Sequence, residues 1–432
     1  MEAEELTRLA RLLPVLLAAF IAFGARAQTA DPAFAARAAQ LVPVLAGRDA
    51  PDYFSPGFRR AVAPAQLSAV LAQLRAALGE PLRVEAIRPA APYAARLTVT
   101  YQRGEASIEL VVDPAPPHQV TGLLVTGTRL SDDSFARLQA DFRALPGASG
   151  FGVFELGRGA PRLVAGWREE ESAPIGSAFK LWLLAELVRQ VNAGERRWDE
   201  VVPLGPPSLP SGVLQSWPTG TPMTVQSLAT LMISISDNTA ADTLLALLGR
   251  DKVDAMVAAA GAADPDRPAP VLTTREAFVL KADPALAAAW ARSAPEARRR
   301  LLRDNAARIA GARLSAGLFA GGPVASEQVE WFASPADLAR LLDQLRVHSD
   351  ATARAILAVN PGTDPATAAR FAYIGFKGGS EPGVVTLNYL VRTADGRWLA
   401  VTGDWHRADA DVATLTFAAL MNRALALAAA PR

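Results

Sequence analysis

The stretch Ser172-Ala-Pro-Ile-Gly-Ser177-Ala-Phe-Lys180-Leu-Trp-Leu-Leu-Ala-Glu-Leu187 reads as a turn that runs straight into a helix. Pro174 and Gly176 stop what precedes them, and from Phe179 to Val188 apolar residues crowd a helical period. Ser177 falls at or beside the helix start, where free backbone N–H groups and the positive end of the dipole favour developing negative charge. Lys180, three residues on, lies one turn along the same face. A hydroxyl beside an amine at such a helix end is the outline of an activated serine nucleophile. Taken alone, Ser-x-x-Lys is more commonly an N-cap followed by a surface lysine, so its meaning depends on the rest of the chain.

Working outward, 432 residues are too many for one ordinary core and predict two domains. Lys plus Arg number 44 against 43 Asp plus Glu, a net charge of +1, which gives no support for a nucleic-acid or anionic-membrane partner. The absence of Cys excludes disulfides, zinc–thiolate sites and cysteine nucleophiles. The three histidines, His118, His348 and His406, are far apart in sequence, which makes a metal hydrolase or a Ser–His–Asp triad a weak reading. No metal and no cofactor is implied.

At the N-terminus an apolar run over residues 12–23 follows Arg8 and Arg11 and precedes Ala25-Arg-Ala27. It is too short to span a bilayer comfortably. The pattern predicts a secretory signal over residues 1–27, cleaved after Ala27, and a secreted, periplasmic protein with no stable membrane insertion afterwards. Glu2, Glu4 and Glu5 are unusual before such a run and point to a start codon further downstream. Residues 28–130 predict a small α+β domain. Its helices lie over 32–47 and 64–78, and its strands over 83–88, 95–102, 106–112 and 120–125. Helices followed by an antiparallel meander resemble cystatin-like or NTF2-like folds in element order. Arg129 to Asp133 reads as the linker.

Residues 131–432 predict a second α+β domain. Strands at 150–156 and 162–167 precede the Ser177 stretch, and strands at 371–376, 384–393 and 398–404 follow a long helical block. An antiparallel sheet is therefore expected from both ends of the domain, with the helical block inserted between its strands. Two further features stand out. Ser236-Asp237-Asn238 lies between two helical runs, where Asp and Asn are ordinary caps. Lys377-Gly378-Gly379-Ser380 lies on a strand end near the C-terminus, where alone it reads as a turn.

Together, Ser177-x-x-Lys180, Ser236-Asp237-Asn238 and Lys377-Gly-Gly stand in the order and context of the Ser-x-x-Lys, Ser-Asp-Asn and Lys-Thr-Gly elements. The domain thus resembles class A β-lactamases and penicillin-binding proteins, as do Ser211-Gly-Val-Leu-Gln215 and the stretch Glu330 to Leu342. The resemblance implies that Ser177 attacks a carbonyl carbon and is acylated, with Lys180 as base and Ser236 passing protons. It implies that Asn238 binds the substrate amide, that Lys377 holds its carboxylate, and that backbone N–H groups of Ser177 and Ser380 bind the oxyanion beside Gly379. The substrate class implied is a small β-lactam-like molecule, amide or ester.

The chain departs from that pattern twice. Gly378 replaces the Thr of Lys-Thr-Gly, with Ser380 available to supply a hydroxyl nearby. No Glu-x-x-Leu-Asn string supplies a deacylating base. Glu276, in Leu272-Thr-Thr-Arg-Glu-Ala-Phe278, is the nearest candidate, and it reads equally as an exposed first-turn Glu. The run Arg298 to Arg303 reads as an extra solvated helix. Three readings follow: a β-lactamase-type serine hydrolase, a D-Ala peptidase or esterase with the same nucleophile, and a non-catalytic periplasmic binding protein.

Overall fold

The computed structural model describes residues 29–313 and 316–430. The segment read as a secretory signal lies outside the described residues. The chain divides into two compact units, one holding residues up to Gln102 with Ser107–Val125, the other Arg103–Ala106 with Thr126–Arg432.

In the first unit a helix over Pro64–Leu78, α1, precedes the strands β1 (Pro81–Ala91), β2 (Ala94–Tyr101), β3 (Gly104–Val112) and β4 (Val120–Leu130). They form one sheet in the order β1-β2-β3-β4. Leu97, Val99 and Tyr101 on β2, with Ala106, Ile108 and Leu110 on β3, are buried at every second position. That alternation is what an antiparallel sheet with one covered face requires. The expected single helix over 32–47 is two, Pro32–Ala39 and Leu41–Leu45. Pro43 has no N–H to bond one turn back, so the first helix closes at Gln40. The segment expected as a linker begins inside β4, which continues to Leu130.

In the second unit a five-stranded sheet is assembled from both chain ends. The early strands are β5 (Ala148–Leu156) and β6 (Arg162–Trp167), and the late ones β7 (Phe371–Glu381), β8 (Val384–Thr393) and β9 (Trp398–His406), ordered β7-β8-β9-β5-β6. Both faces of its central strands are covered, so β5, β8 and β9 are buried on both sides along most of their length. Phe151, Val153, Tyr389, Val391 and Val401 pack with Phe142 of α2 (Phe135–Arg143) and Phe417 and Met421 of α8 (Thr414–Ala428). Phe154, Leu390 and Ala400 point the other way, into the core of the helical block. That block places α3 (Lys180–Asn192) at its centre. Around it lie α4 (Val225–Ser234), α5 (Asn238–Leu248), α6 (Thr274–Ala282) and α7 (Pro335–His348). Leu181, Leu183, Leu184 and Leu187 of α3 are fully buried, the mark of a helix packed on all sides. The helix expected around Arg298–Arg303 is Pro295–Asp304. It is less solvated than its charge suggests: Arg298 donates to the Arg267 and Ala269 carbonyls, and Arg299 pairs with Asp251 and Asp254. Among the described residues no helix is long and apolar enough to cross a membrane.

Candidate active site

The turn before α3 is built by its neighbours. Ala173-Pro174 pairs with Phe332-Ala333, and the Ile175 N–H bonds the Trp331 carbonyl at 2.9 Å. Gly176 has φ +46°, and a Cβ there would stand 3.2 Å from the Ser380 nitrogen, so both conformation and space call for glycine. Residues Gly176–Phe179 form one 3-10 turn, and α3 begins at Lys180. Phe179 stacks on Trp331 at 4.0 Å and fixes the far side of the turn.

Lys180 is wholly buried. Its Nζ lies 3.1 Å from Ser177 Oγ and 3.0 Å from Ser236 Oγ, and donates to the Ser236 carbonyl and Asn238 Oδ1, each at 2.7 Å. Burial and, secondly, the Lys377 ammonium hold its pKa well below the usual lysine range, against the opposing pull of Asp242 and Asp237. Ser236 sits in the connection between α4 and α5 at φ +59°, a conformation that disfavours side chains other than glycine. The strained backbone aims its hydroxyl between two amines: Lys377 Nζ is 3.1 Å from Ser236 Oγ on the other side. Lys377, central on β7 and paired in register with Asn388, also donates to the Gly378 carbonyl at 2.6 Å. Burial pushes its pKa down to about 7.

Asn238 opens α5, accepts from Lys180 and donates through Nδ2 to the Leu209 carbonyl at 3.0 Å. An amide nitrogen carries two hydrogens, so one remains for a ligand. Asp237 is the N-cap of α5 and binds the Ala240 N–H at 2.9 Å, while its other oxygen takes the Val213 and Leu214 N–H groups at 2.7 and 2.9 Å. One buried carboxylate thus ties the 211–215 loop to the start of α5. A cavity of about 200 Å³ opens at Ser177, with Asn238, Thr274, Phe278, Ser380 and Glu381 in its wall. A larger one, about 460 Å³, is lined by Val279, Asp283 and Arg308 and contains no nucleophile–base pair.

The Ser177 and Ser236 hydroxyls and two buried amines occupy one cluster, drawn from the turn and start of α3, the α4–α5 connection and β7. The model of the beta-lactamase enzyme family matches residues 134–418. The chain belongs to that family. Solved structures similar to it include a beta-lactamase from Sphaerobacter thermophilus DSM 20745, 23% identical over 68% of this chain and 95% of that one, with a TM-score of 0.47. PBP-A is 18% identical over 68% and 93%, TM-score 0.46, and a beta-lactamase from Chitinophaga pinensis DSM 2588 is 17% identical over 68% and 98%, TM-score 0.46. No curated protein matches the chain.

Within this beta-lactamase-family domain the expected site residues separate into two groups. Ser177, Lys180, Ser236, Asn238 and Lys377 stand in one hydrogen-bonded cluster. Gly379 and Ser380 lie against the Ser177 turn, where a Cβ on Gly379 would be 2.6 Å from the Ser177 nitrogen. Gly378 has no room for the missing Thr side chain, because a Cβ would meet the Phe376 ring at 2.9 Å and the Thr386 carbonyl at 3.2 Å.

Glu276 is not brought to Ser177. It closes a capping box with Thr273 at the start of α6, and both its oxygens receive Arg250, at 2.8 and 2.7 Å. The residue of this segment that faces the cavity is Thr274, whose Oγ1 is 2.6 Å from Ser208 Oγ and whose N–H bonds Asp242 at 2.7 Å. Sequence reasoning missed Thr274, Lys281 and Glu381. Their only signal was proximity to motifs already noted, and it assigned Glu330 no role within the stretch that carried the resemblance.

Proposed function

We propose that this protein is a serine hydrolase that forms an acyl-enzyme at Ser177 from a β-lactam or a related amide or ester. The observation that carries this reading is the placement of the buried Lys180 amine 3.1 Å from Ser177 Oγ, with Ser236 Oγ shared between Lys180 and Lys377. A lysine whose pKa is lowered by burial holds a neutral lone pair at a pH where an exposed lysine does not. As the bond from Ser177 Oγ to the carbonyl carbon forms, the serine proton passes to Lys180. It then goes through Ser236 to the leaving nitrogen or oxygen as the acyl bond breaks. Backbone N–H groups of Ser177 and Ser380 receive the oxyanion. Lys377 holds the substrate carboxylate and Asn238 its amide.

Release of the acyl group is the slower half-reaction in this reading. Glu276 is held by Arg250, and Glu381, the one carboxylate in the cavity wall among the described residues, is held by Lys281. This favours a peptidase or esterase with long-lived β-lactam adducts over an efficient β-lactamase. The test is intact-mass analysis with nitrocefin, a penicillin and p-nitrophenyl esters, on wild type and Ser177→Ala. A covalent adduct or turnover that Ser177→Ala abolishes is expected. No adduct and no turnover in wild type would leave the binding-protein reading standing instead. Residues 1–27 are proposed as the secretory signal of a periplasmic enzyme, and residues 28–130 as a separate small domain. An N-terminus other than Gln28 on protein recovered from the periplasm would overturn the cleavage site.

A further inference from the structure

Three ionisable side chains are buried together beside the Ser177 turn. Lys281 comes from the last turn of α6, Glu330 from the residues before Phe332-Ala333, and Glu381 from the end of β7. Their side-chain exposures are 1%, 0% and 8%. Lys281 Nζ bonds Glu381 Oε1 and lies 4.0 Å from Glu330 Oε1. Glu330 Oε2 has no hydrogen-bond partner among the described residues, and burial pushes the Glu330 carboxyl up to about 8 against the opposing pull of Lys281 and of the Trp331 and Gly176 N–H groups. Burying such a group is expensive unless geometry repays it.

The position of the cluster gives it a use. Gly176 precedes Ser177, and Glu381 follows Ser380, so the two carboxylates flank the two N–H groups assigned to the oxyanion. The turn and the strand touch: a Cβ on Gly379 would stand 2.2 Å from the Ile175 carbonyl. Yet among the described residues no backbone hydrogen bond joins turn 175–178 to strand 377–381. The two backbones meet at Gly176 and Gly379 in van der Waals contact alone, and Lys281, between Glu381 and Glu330, ties the strand end to the residues behind the turn.

We infer that Lys281 is a positioning residue that, through Glu381 and Glu330, fixes the spacing of the Ser177 and Ser380 N–H groups and so the width of the oxyanion hole. The inference rests on the serine-hydrolase reading above. Such a clasp acts on charge that develops only in the transition state, so its loss lowers the acylation rate constant and leaves the dissociation constant of the substrate nearly in place.

The test uses the full chain and p-nitrophenyl acetate, with nitrophenolate release and intact mass as readouts. In Lys281→Met/Glu381→Gln, which leaves no unpaired charge at those two positions, the burst-phase rate constant for acylation is expected to fall ~10²-fold, the size of a misplaced or missing oxyanion donor, with the ester concentration that half-saturates the burst within about twofold. Lys281→Arg, which keeps the cation, is expected to stay within about tenfold of wild type. A folded double variant that acylates at the wild-type burst rate, or whose burst is impaired only through a raised half-saturating ester concentration, overturns the inference. Should the double variant not fold, the isosteric Glu381→Gln decides: about a tenfold loss of the burst-phase acylation rate supports the clasp, and a wild-type burst rate overturns it. Wild type that is never acylated overturns the hydrolase reading and is distinguishable from all of these results.

Discussion

Two lysines share one serine hydroxyl, and their burial sets how they divide the work. Lys377 is lowered to about 7 by desolvation, and its charge further lowers Lys180. Below that pH Lys377 is an ammonium able to hold an anion, and above it the amine is neutral. A substrate that carries a carboxylate is therefore expected to bind more weakly as pH rises through about 7, while a neutral ester shows no matching rise in KM. Parallel KM–pH profiles for nitrocefin and p-nitrophenyl acetate check this, and identical alkaline limbs would remove Lys377 from carboxylate binding. The cluster was legible in the sequence because Ser177, Lys180, Ser236 and Lys377 combine chemistry with order. Glu276 was misleading for a physical reason: Thr-x-x-Glu before an apolar run is a capping box, and the local signal described its true place. Lys281, Glu330 and Glu381 were illegible, since three separate segments meet only after folding.

At the scale of elements, Asp237 is the joint between the 211–215 loop and α5. Three backbone N–H groups end on its carboxylate, and Gly212 leaves the space it occupies: at φ +112° a Cβ would fall 2.2 Å from Asp237 Oδ2. Asp237→Ala removes a cap and leaves two N–H groups unsatisfied. It is expected to destabilise by on the order of 3 kcal/mol, read from the shift of a urea-denaturation midpoint. A shift under about 0.5 kcal/mol, the range of ordinary surface changes, would mean that water replaces the carboxylate. Gly212→Ala is expected to lower the midpoint in the same direction. The sequence marked Asp237 only as a cap, because its second and third bonds reach back to residues that no helical period connects to it. Of the late strands, 384–393 has the expected bounds, while the other two run further than expected. Phe371–Glu381 extends past Lys377 because Gly378 and Gly379, which read as a turn, are paired within the sheet opposite Leu387 and Thr386.

For the whole molecule, the sheet of the second unit joins β5 and β6 from before the helical block to β7, β8 and β9 from after it. Ser177 and Lys180 are in place once the block has folded, but Lys377 and the Ser380 N–H arrive with the last strands. Pairings between distant segments form slowly, because closing a long loop precedes any contact that rewards it. On the proposed acyl-enzyme reading, competence to capture a covalent probe therefore belongs to the completed chain and appears last. After dilution from denaturant, helical circular dichroism is expected to recover ahead of the capacity to be labelled at Ser177, and coincident recovery would contradict that order. A chain interrupted before β7 would keep its serine and its base without being able to acylate, which makes covalent labelling a report on whether synthesis and folding have reached the end.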